Sequence, residues 1–299
     1  MSVYDLCLSW NWEYDADFVS LLDSACRSHD LSLIQITPEN LMQHLRALVD
    51  NQISFRAFFD RASDTDPRIM PIVQWARDNA VYRINPYEHA TRTWDKATMH
   101  HVLTRFYLKT PYTIILPSYE QQPVLGPLDL RPLGDRFTIK PAHGSGGEGV
   151  VNNATSLAEV LSARRDYPDD RYLLQAHVIP AQLDFHRAWF RVIYCGGKVY
   201  PCWWDSSKRL YTPITFAEES RYRLGELRQT VACIARLCRL DLFSSEISLT
   251  TDGFFVVVDY VNDVLDLRLQ SKTPDGVPDE IVYDIAERLT LLVKNHPPI

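Results

Sequence analysis

Glu246 and Asp259 are the residues whose placement most directly implies chemistry. Two strand-like runs, Ser244–Thr250 and Phe254–Val261, flank Asp252-Gly253, a dipeptide favoured in two-residue hairpin loops. With that loop Thr251 pairs with Phe254, and counting back sets Glu246 directly opposite Asp259. Opposed side chains lie about 4.5–5.5 Å apart at Cβ, so two like charges there repel unless a cation lies between them. Leu249, Ile247, Phe254, Val256, Val258 and Tyr260 fall on the other face, which the pattern assigns to the core. The acids then face a cleft. With the amide oxygen of Asn262 they form a set of hard oxygen donors suited to Mg²⁺ bridging phosphates. Asn262 stands three residues past Asp259, where strict alternation turns it away. A bulge at Tyr260–Val261 brings it back.

The second constellation is Lys140 with the segment His143–Gly149. Residues 144–149 read GSGGEG and hold four of the chain's 11 glycines, a concentration that costs backbone entropy and usually marks a close approach. The pattern G-x-G-x-x-G does not sit after a first strand or open a helix, as a dinucleotide site requires. Val150 replaces the Lys-Ser/Thr of a Walker loop, and Lys140 precedes the glycines, unlike the order in protein kinases. What remains is strand, Lys-Pro, glycine loop, strand: a hairpin whose backbone N–H groups of His143, Gly144, Ser145, Gly146 and Gly147 can fold over phosphates. Lys96, in Thr93-Trp94-Asp95-Lys96, opens a helix with Thr93 as the expected N-cap; a phosphate there would suit both lysine and helix dipole.

The elements that position these groups follow from hydrophobic period. Val3–Leu8, Leu31–Ile36 and Phe55–Phe59 read as strands. They alternate with helices at Asp15–Ser28, after Pro38 through Leu41, Leu45 and Leu48, and through Val73 and Ala76, which together make an open α/β unit. The pattern loosens between Tyr82 and Arg92, where the domain boundary is placed: residues 1–88, then 89–299, the latter split into 89–171 and 172–299. A helix follows at about Trp94–Tyr107, and Glu120–Gly134 reads as a loop. Beyond lie strands Phe137–Lys140, Gly149–Val151, Tyr172–Val178, Trp189–Cys195 and Lys198–Trp203, with helices at Leu157–Arg165, Tyr222–Arg239 and Asp279–Asn295.

These residues together resemble the ATP-grasp superfamily over roughly residues 55–270, and its carboxylate–amine ligases such as ribosomal-protein glutamate ligases and glutathione synthetases in particular. The matches are Asp95-Lys96, Lys140-Pro141 before HGSGGEG, and Glu246, Asp259 and Asn262 as metal ligands. The resemblance implies an α/β (α+β) ATP-grasp fold behind an N-terminal pre-ATP-grasp domain. It implies ATP and Mg²⁺ as cofactors, with Mn²⁺ as a substitute. It also implies an adenine-facing hinge in Leu173–Val178, through Gln175, Ala176 and Val178, and an arginine at the transferred phosphate, Arg191. Ala176 departs from the hinge glutamate common in the family, and Asp263-Val264-Leu265-Asp266 replaces the usual Pro-Gly. The implied activity joins a carboxylate, small molecule or peptide, to an amine or thiol through an acyl phosphate. An inositol-phosphate-type kinase and a non-catalytic ATP-binding protein are the alternatives. Arg268 is the candidate for gripping a substrate carboxylate, against a simple pairing with Asp266. Trp10, Trp12, Tyr14, Trp203 and Trp204 are candidates for an acceptor pocket.

The bulk numbers agree. The chain has 299 residues, is 46% hydrophobic and 23% charged, and carries a formal net charge of −7. That is an ordinary globular composition without the basic surplus of a nucleic-acid binder. Six cysteines show no ligand spacing, which reads as reduced thiols in a cytoplasmic protein. No apolar run spans a membrane. Oligomeric state is left open.

Overall fold

A computed structural model describes residues 1–144 and 146–296. The chain begins with β1 (Ser2–Trp10), α1 (Ala16–Ser28), β2 (Leu33–Ile36), α2 (Leu41–Val49), β3 (Ile53–Arg61), α3 (Met70–Asp78) and β4 (Tyr82–Ile84). The strands form a parallel sheet in the order β2-β1-β3-β4. Parallel strands are covered on both faces, which is why β1 is apolar in succession. Leu6 and Leu8 enter one core cluster and Cys7 enters another on the opposite side. β4 lies where the sequence pattern loosens. It is three residues long, too short to show a period.

Helices α4 (Tyr87–Trp94) and α5 (Lys96–Arg105) follow, in place of the one helix expected from Trp94 to Tyr107. Asp95 is extended between them, and its carboxylate caps α5 through Ala97 N (3.0 Å) and Thr98 N (3.2 Å). Thr93, the expected cap, instead bonds back to Ala90 O within α4. A second sheet holds β5 (Thr113–Leu116), β6 (Phe137–Pro141), β7 (Val151–Ala154) and β8 (Tyr172–Ala176) in the order β5-β8-β6-β7, with α6 (Leu157–Ala163) beside it. β5 was not anticipated, and the glycine loop is longer than expected because β7 begins at Val151.

The last sheet follows a short hairpin, β9 (Gln182–Leu183) and β10 (His186–Arg187). It contains β11 (Trp189–Cys195), β12 (Lys198–Asp205), β13 (Leu210–Pro213), β14 (Leu242–Leu249) and β15 (Phe255–Asn262), antiparallel in the order β13-β12-β11-β14-β15. Helix α8 (Gly225–Cys238) is the one expected from Tyr222 to Arg239, while α7 (Phe216–Arg221) before it and β13 were not anticipated. α8 covers one face of this sheet through Leu227, Val231 and Ile234. The C-terminal helix α9 (Asp279–Asn295) covers the other, and packs on α1 as well. Its Ile281, Ile285 and Leu289 share a core with Phe18, Leu22 and Cys26, and with Ile193 and Cys202. One core therefore runs from the parallel sheet into the last sheet. All six cysteines are free. Among the described residues no helix is long and apolar enough to cross a membrane.

Candidate active site

The β14–β15 hairpin reaches the expected acid pair by an unexpected route. Its loop has three residues, Thr251–Gly253: Thr250 N donates to Phe254 O, and Gly253, at φ +80°, donates to Thr250 O. Near the loop, Leu249 pairs with Phe255 and Ile247 with Val257. The strands then shift, with Val258 as the extra residue on β15, and Glu246 pairs with Asp259. The longer loop and the bulge cancel in register. A second shift follows, since Ser244 pairs with Asn262; two residues on β14 span three on β15. Asn262 thereby returns to the face of Asp259, and Glu246, Asp259 and Asn262 line one cleft. The bulges also correct the core face. Phe254 is 48% exposed, with Lys109 over its ring, and Val258 lines the cleft, while Phe255 and Val257 take the buried places. Ile247, Val256 and Tyr260 are buried as expected.

Two lysines face this hairpin. Lys140, near the end of β6, is buried, with Nζ 3.4 Å from Val258 O and 5.5 Å from the Tyr260 ring centre. Burial lowers its pKa; Asp259 opposes this, Lys96 adds to it, and Glu246 opposes it again. Lys96 is the first residue of α5. Its backbone N donates to Ala142 O at 2.9 Å, and its Nζ donates to Gly144 O. Burial also lowers its pKa, against Asp259, Asp170 and Asp95. The glycine loop is anchored at its start, where His143 N and Nδ1 reach the Asp170 carboxylate at 2.8 and 2.9 Å. The neighbouring Arg171 bonds to Asp95 and Thr98. Gly144, Gly146, Gly147 and Gly149 all have φ between 64° and 112°, the left-handed region open to glycine. At Gly149 an added Cβ would meet the Tyr167 ring at 2.6 Å. Ser145 lies outside the described residues.

Arg191 on β11 pairs in register with Glu246 and is joined to it by an ion pair, while its Nε donates to Ser244 Oγ at 3.0 Å. Trp189 Nε1 donates to the other Glu246 oxygen at 3.1 Å. Burial raises the Glu246 pKa, Arg191 pulls it down, and Asp259 raises it. Asp259 has no ion-pair partner among the described residues. Gln175, Ala176, His177 and Val178, at and beyond the end of β8, form the opposite wall. The cleft measures about 920 Å³, at the upper end of the range for small-molecule sites.

At the far end the structure redistributes the expected roles. Arg268 lines the cleft, but its guanidinium forks onto Asp266 (2.7–3.1 Å) and reaches Asp275 at 3.0 Å, beside the Trp12 ring. The internal pairing with Asp266 is thus present, with Asp275 added. Arg209, on the β12–β13 turn, lines the same wall and has no acidic partner among the described residues. It lacks any motif that would single it out in sequence. Of the aromatic candidates, Trp204 lines the cleft and has Arg191 5.4 Å from its ring centre. Trp203 is core, stacked on His186, and Trp10 packs at the core edge and donates to Gln35. Trp189 and Tyr211 line the cleft unforeseen; strict alternation along β11 and β12 would have pointed to Trp189 and Trp204.

Two antiparallel sheets gripping a cleft between paired lysines and paired acids, behind a parallel α/β unit, make the ATP-grasp fold, which is the fold of this chain. Similar solved structures include an ATP-grasp ligase, PsnB, complexed with a minimal precursor, Mg and ADP (11% identity, TM-score 0.64, covering 97% of this chain and 99% of that one). Another is D-alanine–D-alanine ligase from Bacillus anthracis complexed with ATP (13%, 0.65, 98% and 99%). A third is a RimK-domain ATP-grasp protein from Sphaerobacter thermophilus (18%, 0.63, 97% and 100%). In sequence, no family model matches the chain and no curated protein matches it significantly.

Proposed function

We propose that this chain is an ATP- and Mg²⁺-dependent ligase that joins a carboxylate to an amine or thiol through an acyl phosphate. The observation that carries the reading is the convergence of Lys96, Lys140 and the glycine loop on Glu246, Asp259 and Asn262 within one cleft of this fold. The donor set fits a divalent cation: two carboxylates and an amide oxygen on one face, with Asp259 otherwise unpaired. When bound, Mg²⁺ would offset phosphate charge. Mn²⁺ suits the same oxygen donors.

Lys96, Lys140 and the backbone of His143, Gly144, Gly146 and Gly147 hold the phosphates, and the wall from Gln175 to Val178 receives the base. Arg191, half-neutralised by Glu246, directs its guanidinium toward the transferred group. The substrate carboxylate oxygen attacks the γ-phosphorus and ADP leaves. The nucleophile then attacks the acyl carbon, loses its proton, and releases phosphate. Arg209 is the guanidinium placed to meet a carboxylate on the substrate, whereas Arg268 shapes the wall through Asp266 and Asp275. The catalytic unit comprises residues 89–299, with 1–88 as its N-terminal domain.

The test supplies ATP, Mg²⁺, a library of acids including peptides, and hydroxylamine. The expected outcome is a hydroxamate with release of ADP and free phosphate. A stable phosphorylated product with ADP and no free phosphate would replace the ligase with a kinase while leaving the nucleotide site intact.

A further inference from the structure

Tyr260, next to Asp259 on β15, faces inward by alternation and is 1% exposed, and the bulge that follows it returns Asn262 to the cleft. Its hydroxyl lies 2.7 Å from Gln175 Nε2 and 2.8 Å from His100 Nδ1. Gln175 Nε2 also donates to Thr113 Oγ1 at 3.1 Å. Three walls of the site therefore meet at one oxygen: β15, which carries Asp259 and Asn262; β8, which leads into the base-facing segment; and α5, where His100 sits one turn beyond Lys96.

One of these bonds has a direction set by its atoms, and the other follows the tautomer of His100. An amide nitrogen donates only, so the tyrosine oxygen accepts from Gln175, and in the His100 tautomer with Nδ1 bare the tyrosine proton goes to that nitrogen. Burial, with His101 and Lys140, holds the His100 pKa down at about 4, so the imidazole is neutral at neutral pH and offers one bare nitrogen. That arrangement gives the tyrosine proton an acceptor, and the Tyr260 ring lies beneath Lys140.

We propose that Tyr260 is a positioning residue whose hydroxyl couples metal binding at Asp259 and Asn262 to nucleotide binding along Gln175–Val178 and at Lys96. The inference rests on the nucleotide and metal reading above. Ordering β15 at the metal orders β8 and α5 through the shared hydroxyl, and by linkage the coupling is reciprocal.

Calorimetry of ADP binding with and without Mg²⁺ tests it in the full chain, in Tyr260→Phe, and in His100→Asn and His100→Leu. The affinity gain from Mg²⁺ in free solution is common to all four and cancels. In Tyr260→Phe and His100→Leu the Mg²⁺-dependent gain should shrink by about fivefold or more, with metal-free ADP affinity little changed. In His100→Asn the gain should persist, because the amide oxygen accepts the same proton. An unchanged gain in folded Tyr260→Phe overturns the proposal, as does equal behaviour of the Asn and Leu variants, which would mean His100 only fills space. If Tyr260→Phe does not fold, the His100 pair decides alone. Absence of ADP binding by the unmodified protein overturns the nucleotide reading and this inference with it.

Discussion

The two ends of the cleft handle charge in opposite ways. At the lysine end, Lys96 and Lys140 have no carboxylate ion pair among the described residues. Their direct partners are carbonyl oxygens, and Asp259 across from them is likewise unpaired. At the far end the charges close on one another: Arg268 with Asp266 and Asp275, and, behind it, Arg61 with Asp15 and Leu265 O. Unpaired charge in a half-buried cleft raises the cost of the empty state and lowers that of a complementary ligand. Internally paired charge shapes a wall instead. Arg209 is the exception at the far end, which is why it is assigned to the substrate.

Substitutions at both ends test that contrast. The largest effect is expected at the lysine end, at the unpaired Asp259 and at Glu246, which Arg191 holds opposite it: Glu246→Gln or Asp259→Asn should reduce Mg²⁺-dependent turnover by about 10²–10³-fold, measured as ADP release, with the fold retained. Full activity in both would remove the metal assignment. An intermediate effect should separate the two arginines. Arg209→Ala should raise the KM for the acid substrate about tenfold with no change in melting temperature, as loss of a charged hydrogen bond to the ligand predicts. Arg268→Ala should lower the melting temperature by about 1–3 °C, since it strands Asp266 and Asp275 in partly exposed pairs. If the two effects are exchanged, the contrast between open and closed charge fails.

The smallest effect concerns pH. His100 has its pKa lowered from 6.5 to about 4, first by burial, then by His101 and Lys140. Between those values the unfolded chain binds the proton and the folded chain does not, so its stability contribution is complete above about pH 6.5 and is lost as pH falls toward 4. Urea unfolding should show this slope, and His100→Asn should flatten it. An identical profile in the variant would mean that His100 is not held neutral behind the lysine end.

Much of this was legible in the chain itself. The parallel unit, α9 and β11 follow from period, because that signal repeats over many residues, whereas the acid pair is reached only because a three-residue loop and a bulge cancel the error of the expected two-residue turn. The need for a bulge at Tyr260–Val261 was readable from the odd spacing of Asp259 and Asn262. β4, β5 and β13 were not, since strands of three or four residues show too little alternation to be recognised. The cap at Asp95 was missed because an adjacent threonine offered the same chemistry. Tertiary structure alone decided that Arg268 is occupied by Asp275 as well as Asp266, that Arg209 faces the cleft, and that His100, Gln175 and Tyr260 share one proton-donating junction. Those partners are up to 160 residues apart. Local sequence sets which face a side chain takes on its own element, but a hydrogen bond between elements depends on how sheets pack, and no period along the chain records it.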